Sequence, residues 1–373
     1  MKIISRISIF LLRELTPFLI LQLKNSGLTD LQITSGRMNT FQQKKGVRNF
    51  FSSEPDLGSD ALDVITILVD PTIEDSVLYF IVQTMKLKIQ GRGSIFSERV
   101  RMIKGHSLCR VNSTFMKKAE STGIFSGLMG ITCIVQRDEG DRLAQVILNT
   151  GTCVPALYYG LGTGLRDKLG LLRITIPAEK EILQLVARQE EADEVMELMI
   201  EQGNLDQPGK GFIYLYQIEK GLINTRTHRD PPPHIATLEQ VVAELDHLKG
   251  NLRWRLHNVE GSSEVSEPRY YLKQLVEFRL TCNEGYGAEL VKEAMSAGVA
   301  GATIFKTKHH FADSSSQMQI SPAREVCNMI ISENLLENVI RILEIKRAFE
   351  DEIAAIVEAR SVDKACTYLV NKK

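Results

Sequence analysis

Short runs of apolar and β-branched residues alternate along the chain with stretches whose apolar positions recur every three and four residues. Residues 1–10 carry Ile3, Ile4, Ile7 and Ile9 and predict a strand. Residues 11–25 bring Leu12, Leu15, Phe18, Leu19 and Leu23 to one face and predict a helix, with Gly27 just past its end. A short strand at 31–34 follows, then a polar stretch at 35–61 that predicts a long loop. A strand is expected at 62–69, and Asp70-Pro71-Thr72 caps a helix over 73–85. The turn Gly91-Arg92-Gly93 leads into a strand at 94–102.

The same order starts again near residue 130. It gives a strand at 130–136, a helix opened by Asp138 and Asp141, a strand at 154–159 and a loop at 160–170. A strand at 171–176, a glutamate-rich helix from Pro177 to Gly203 and a strand at 212–218 complete it. It returns a third time with strands at 275–281 and 302–306, a polar loop at 308–317, and strands at 324–332 and 353–359. Helices at 286–297 and 335–349 fall between these strands. The intervening stretches read as linkers: residues 105–127, and residues 227–269 with Pro231-Pro232-Pro233 and one predicted helix at 238–248. The organisation expected is therefore three units at 1–105, 125–226 and 270–373. Each is a βαββαβ unit with a four-stranded antiparallel sheet and two helices on one face, the ferredoxin-like arrangement. The fold class is α+β. Three uncovered sheet faces in one chain can turn inward on each other, so an intrachain pseudo-trimer is expected.

Composition narrows the function. A formal net charge of -1 over 373 residues argues against a nucleic-acid binder. The cysteines at 109, 133, 153, 282, 327 and 366 have no Cys-x-x-Cys pairing or metal-ligand spacing, and read as reduced thiols. Residues 7–23 are apolar but interrupted by Arg13, Glu14 and Pro17, so neither a signal peptide nor a membrane span is expected. These features point to a soluble cytoplasmic protein. No Ser/His/Asp, Cys/His or paired-carboxylate set stands out, and no catalytic residue or metal ligand is assigned. His309-His310 lacks a fixed third ligand.

The chemistry with most promise lies in two glycine-rich stretches. One is Gly160-Leu161-Gly162-Thr163-Gly164 with Arg166, Asp167 and Lys168; the other is Gly209-Lys210-Gly211 ahead of a strand. Backbone N–H groups and cations converging in this way form an anion pocket. The bland alternative is that the glycines only supply tight turns and the cations are solvated. A second candidate pairs Gly36 and Arg37 with Gly91, Arg92 and Gly93.

On these residues the chain resembles the nitrogen-regulatory P-II family. Gly160-Leu161-Gly162 stands where that family has Gly-Phe-Gly at the base of its T-loop, and Pro208-Gly209-Lys210-Gly211 stands where it has its B-loop. The first unit offers Ser35-Gly36-Arg37 and Gly91-Arg92-Gly93 at the same places, while the third has the acidic Glu350-Asp351-Glu352. Lys210 sits between the glycines rather than after them. The resemblance implies a non-catalytic signalling protein that binds ATP, ADP or AMP in clefts between units and needs no obligatory cofactor. It would control a membrane transporter or a metabolic enzyme through mobile loops. The alternatives are an assembly protein without ligand, or an enzyme of phosphoryl chemistry built on Asp167.

Overall fold

In the computed structural model, β1 (Lys2–Leu12) is buried from Ile4 to Leu11, on both faces. Ile7, Ile9 and Leu11 point into one apolar cluster and Phe10 into another, while Arg6 and Ser8 are buried among polar groups. Burial on both sides explains why the strand continues through Phe10-Leu11-Leu12, where the apolar run reads as the start of a helix. The structure describes residues 2–28, 30–42, 56–105, 124–164, 179–229, 269–310 and 321–369, together with Leu245. The helix expected at 238–248, Leu245 excepted, and most of the two linkers lie outside them.

The first segment continues with α1 (Thr16–Asn25), β2 (Leu31–Gln42), β3 (Asp56–Val69), α2 (Glu74–Met85) and β4 (Gly93–Lys104). The second holds β5 (Leu128–Gln136), α3 (Gly140–Thr150), β6 (Ala156–Gly164), β7 (Glu179–Arg188), α4 (Gln189–Gly203), β8 (Gly211–Ile218) and a short β9 (Lys220–Leu222). The third holds β10 (Leu275–Asn283), α5 (Gly287–Ser296), β11 (Gly301–His310), β12 (Ala323–Ser332), α6 (Leu336–Ile345), β13 (Ile356–Val362) and β14 (Lys364–Thr367). The α+β class read from the sequence is thus observed: fourteen strands and six α-helices among the described residues. All the strand ladders are antiparallel.

In each segment the first strand lies between the third and the last, and the second strand pairs on the outside of the third. The second helices also end alike. Lys86, Asn204 and Arg347 are left-handed there, and the next residue's N–H reaches back to Val82, Ile200 or Leu343.

Several element boundaries differ from the sequence reading. The polar stretch at 35–61 is largely a hairpin stem, because β2 runs to Gln42 and β3 starts at Asp56, paired from Leu31↔Ile67 to Gln42↔Asp56. The stretch 160–164 is strand, not loop. The glutamate-rich helix begins at Gln189, and residues 179–188 are the strand β7. Glu179, Lys180 and Glu181 look like a helix's first turn, yet each has a partner across the sheet or on α3. Glu179 pairs with Arg137 at 2.6 Å, Lys180 donates to Gln136 at 2.7 Å, and Glu181 accepts from the Gly140 N–H at 2.7 Å. The strand expected at 171–176 lies outside the described residues.

The segments are joined head to tail in a cycle. The end of β4 pairs with β13 of the third segment, β9 after the second segment pairs with β4 of the first, and β14 after the third pairs with β8 of the second. The second strands close a cycle of their own: the start of β6 lies on β2, the start of β11 on β6, and the start of β2 on β11. Three apolar clusters fill the space between sheet and helices in each segment, and a fourth gathers Phe10, Tyr158, Tyr216, Phe305 and Val362 from all three.

Beside this fourth cluster sits a buried charge network. Arg6 bonds to Glu98 at 2.6 Å, Glu277 at 3.2 Å and Glu358 at 3.3 Å, and Arg360 bonds to Glu98 at 2.5 Å and to Glu277. Burial pushes the Glu277 carboxyl up, but Arg360, Arg6 and the Tyr214 hydroxyl outweigh it, and the group titrates well below the usual carboxylate range.

Candidate functional site

The residues after β9 run back along the first segment and build a cleft with it. Asn224 anchors this tail. Its backbone N–H donates to Ser94 Oγ at 2.9 Å, and its Oδ1 accepts from the Gly91 N–H at 2.9 Å and the Arg226 N–H at 3.2 Å. Phe41 then donates to the Thr227 carbonyl at 2.7 Å, and Arg229 donates back to the Phe41 carbonyl at 2.9 Å. The tail is thereby pinned to β2. A cavity of about 320 Å³ remains among Leu12, Met38, Ala61, Gly91, Arg226 and Arg229, with Arg13 and Asp60 at its edge. That volume is within the range of small-molecule sites.

Three guanidinium groups border it, each with partners of its own. Arg226 donates from Nε to the His228 carbonyl at 3.1 Å and from Nη2 to the Arg229 carbonyl at 2.7 Å. Arg229 pairs with Asp60 at 3.0 Å and Arg13 with Asp63 at 3.1 Å; both arginines are about half exposed, at 53% and 47%. Their carboxylates are less open, Asp60 at 18% and Asp63 at 7%, so it is the arginine ends of these pairs that face the cleft.

The residues singled out from the sequence fall in different surroundings. Gly91 sits in a turn at φ +91° and Gly209 in one at φ +73°, both conformations that favour glycine. Gly93 and Gly211 lie where the chain enters a strand, each against a neighbouring strand's carbonyl. Gly36 and Gly160 are not turn residues. A Cβ at Gly36 would lie 2.5 Å from the Leu157 carbonyl oxygen, and one at Gly160 would lie 2.9 Å from Ile182 and Thr303 side-chain atoms. They allow close crossing of strands from different segments. Gly162 and Gly164 pair with Thr303 and Gly301 of β11, so they belong to a ladder and not to a phosphate loop.

Two of the predicted cations are similarly occupied. Arg37 is a clamp between segments: it bonds to Asp141 at 2.5 Å and Glu181 at 2.6 Å, with the Tyr159 ring 5.6 Å away. Arg92 donates to the Met85 carbonyl at 2.8 Å. Lys210 is exposed. Arg166, Asp167 and Lys168 lie outside the described residues. His309 is buried and pairs with Asp30, and no cluster of three metal-binding side chains occurs among the described residues.

Strand register shows why the cleft is open in the first segment. There Gly36, Leu62 and Leu12 stand in one row across the sheet, and none of the three brings a polar side chain to the turn at Gly91. The matching row of the second segment is Gly160, Lys180 and Gln136. Lys180 Nζ donates to Gln136 Oε1 at 2.7 Å, and Gln136 Nε2 donates to the Gly209 carbonyl at 2.7 Å, so side chains bridge to the Gly-Lys-Gly turn. Gly160 and the Gly209 turn therefore sit at opposite edges of one sheet, about 14 Å apart across three strand spacings. In the third segment the row is Thr307, Arg324 and Asn283, and Arg324 reaches the Ala354 carbonyl at 2.8 Å.

Sequence reasoning did not single out Asn224, Arg226 or Arg229. The signal was their place directly after the second segment's last strand, in a stretch otherwise read as the approach to a linker. No protein-family model matches the chain, and no curated protein matches it.

Proposed function

We propose that the chain is a non-catalytic regulator of the P-II type. In this reading three ferredoxin-like units close as a pseudo-trimer, and the cleft of the first unit takes an adenine nucleotide. The observation that carries it is the handover of each segment's end to the last strand of another, which lays the Arg226–Arg229 tail over the Gly91 turn. A nucleotide's base would lie on Leu12, Met38 and Ala61, and its phosphates would meet Arg226, Arg229 and Arg13 by charge-assisted hydrogen bonds. The site moves from the second segment's glycine stretches to the first segment, because Gln136 and Lys180 already bridge the former.

Phosphate binding would draw Arg229 from Asp60 and Arg226 from the tail's own carbonyls. The tail is hydrogen-bonded to Phe41 on β2, so occupancy would be felt in the β2–β3 hairpin, the surface offered to a transporter or metabolic enzyme. Calorimetric titration with ATP, ADP and AMP tests this. One nucleotide should bind per chain, Arg226→Ala should abolish the heat, and Lys210→Ala should leave it intact. At 100 times the dissociation constant the ligand should add about 2.7 kcal/mol of stability. No heat and no rise in melting temperature with any of the three would end the reading.

A further inference from the structure

Ser8 of β1, Thr132 of β5 and Arg279 of β10 each stand four residues before the Leu12, Gln136 and Asn283 of the rows compared above, and so hold one register position in the three segments. All three point away from their own helices. Their neighbours Ile7 and Ile9, Ile131 and Cys133, and Phe278 and Leu280 fill the apolar clusters on the helix side, and strand residues alternate between faces. The three residues border a cavity of about 20 Å³ beside the buried charge network. One water needs about 10–15 Å³ measured in this way, so the space admits a single atom-sized occupant and no organic molecule.

The wall carries an uneven charge. Three guanidiniums, those of Arg6, Arg279 and Arg360, meet one carboxylate, that of Glu277. Glu277 is fully committed. Its Oε1 accepts from the Tyr214 hydroxyl at 2.7 Å and from Asn328 Nδ2 at 2.9 Å, and its Oε2 is paired with Arg6 at 3.2 Å and with Arg360. Arg6 and Arg360 also share Glu98, which is not part of the wall. Arg279 is left out. It acts on Glu277 through space but makes no hydrogen bond or ion pair among the described residues, and its Nε is sealed without a partner. Its cross-strand neighbour Glu358 bonds to Arg6 instead. A charge taken into protein is normally paired.

The other groups at the wall can serve an anion. The hydroxyls of Ser8, Thr66 and Thr132 also make no hydrogen bond among the described residues, and none of them is sealed as Arg279 Nε is; the two terminal nitrogens of Arg279 are open too. Ser8 and Thr66 are direct cross-strand partners, so their side chains stand together on one face. A hydroxyl donates or accepts as its surroundings require. A water molecule in the cavity would satisfy the hydroxyls and leave the Arg279 charge unanswered; a small anion answers both.

We propose that this cavity binds one monovalent, halide-sized anion, with chloride as the probe. The ion accepts from the terminal N–H groups of Arg279 and from the hydroxyls of Ser8, Thr66 and Thr132. All three segments contribute to it, so it ties them together and makes the stability of the whole chain depend on halide.

The experiment is thermal melting of the intact chain as sodium chloride replaces sodium gluconate, whose anion is too large for the cavity, at constant ionic strength. The melting temperature should rise with chloride, as it does for any ligand bound only by the folded state. Arg279→Gln, which keeps a polar side chain without the charge, should remove the rise. Thr132→Val keeps the shape of the side chain and should shift the onset of the rise to about tenfold more chloride, the loss of one hydrogen bond to a charged group. Crystals grown in sodium bromide should show anomalous scattering from a bromide beside Arg279. Equal melting in the two salts, a rise unchanged in both variants, or bromide found only in the first-segment cleft would each overturn the proposal. None of these outcomes depends on nucleotide binding.

Discussion

The guanidinium carbon of Arg360 lies 3.3 Å from the centre of the Tyr216 ring, joining the third segment to the second at the buried centre. Tyr216 reaches this place because its cross-strand partner is Gly130. The same register position is Arg6↔Glu98 in the first segment and Glu277↔Arg360 in the third. Three unlike pairs thus meet where identical ones would repel or leave a void. Arg6 or Glu277 repeated three times would put three like charges together; the mixture gives ion pairs and one aromatic surface.

Gly130→Ala should therefore destabilise the whole chain. A Cβ there would fall within the Tyr216 ring, which is fully buried and has no room to withdraw. Overpacking of this kind costs about 1–3 kcal/mol. Urea denaturation should show the loss, and Gly130→Ala combined with Tyr216→Leu should lose less than the sum of the single changes. Strict additivity would mean that the ring does not fill the space left by the glycine.

Glu277 makes stability depend on acid. Its folded-state carboxyl titrates below the ordinary value: burial raises it, and Arg360, Arg6, Tyr214 and Arg279 together lower it further. A depressed folded pKa contributes stability that is fully present above the unfolded value, about 4.3, and is lost as pH falls below it. Glu277→Gln should be less stable than the natural chain at pH 7 by about 3 kcal/mol, because Arg6 and Arg360 lose a shared buried partner. The gap should narrow steadily below about pH 4.3. A gap constant from pH 7 to pH 3 would show that the carboxylate's charge is not what holds the centre.

The order of strands and helices was legible because each element carries its own period. The 3.6-residue spacing in α3, α5 and α6 and the apolar runs of β5, β8 and β10 give their types without help from the rest of the chain. What could not be read was set by partners distant in sequence. Glu181 reads as a helix residue and is a strand residue because Gly140 and Arg37 bind it. Gly36 and Gly160 read as loop glycines and are crossing points, since Leu157, Ile182 and Thr303 come from elsewhere in the chain. The first-segment cleft depends on a tail that starts more than a hundred residues downstream. Glycine and lysine in a row cannot tell which of three similar rows is left open.

Arg37 holds the first segment to the second and should be tested apart from any ligand. Its removal leaves Glu181, whose side chain is 2% exposed, with the Gly140 N–H and no counter-ion. Arg37→Ala should cost about 2–3 kcal/mol, near the lower end for breaking a buried pair because the guanidinium is 16% exposed. Asp141→Ala removes the outer partner, 49% exposed, and should cost under about 1 kcal/mol. Equal effects of the two changes would show that the burial of Glu181 is not what makes this contact matter.

The glycines separate into those that need their conformation, those that need space, and those that need neither. Gly91 has φ +91°, and a Cβ there would lie 2.8 Å from Arg226 Cδ. Gly91→Ala should cost about 1 kcal/mol or more and should also disturb the tail that builds the first-segment cleft. Gly36 has ordinary backbone angles, yet its Cβ would press on the Leu157 carbonyl at 2.5 Å, so Gly36→Ala should destabilise by a similar amount through strand crossing. Gly164 meets only the Ala300 carbonyl at 3.7 Å, an ordinary contact, so Gly164→Ala should be neutral or slightly stabilising. Thermal melting of the three variants, with nucleotide titration of each, separates the roles. Lowered stability in Gly164→Ala, or nucleotide affinity lost in Gly164→Ala and kept in Gly91→Ala, would return the site to the second segment's glycine-rich stretch.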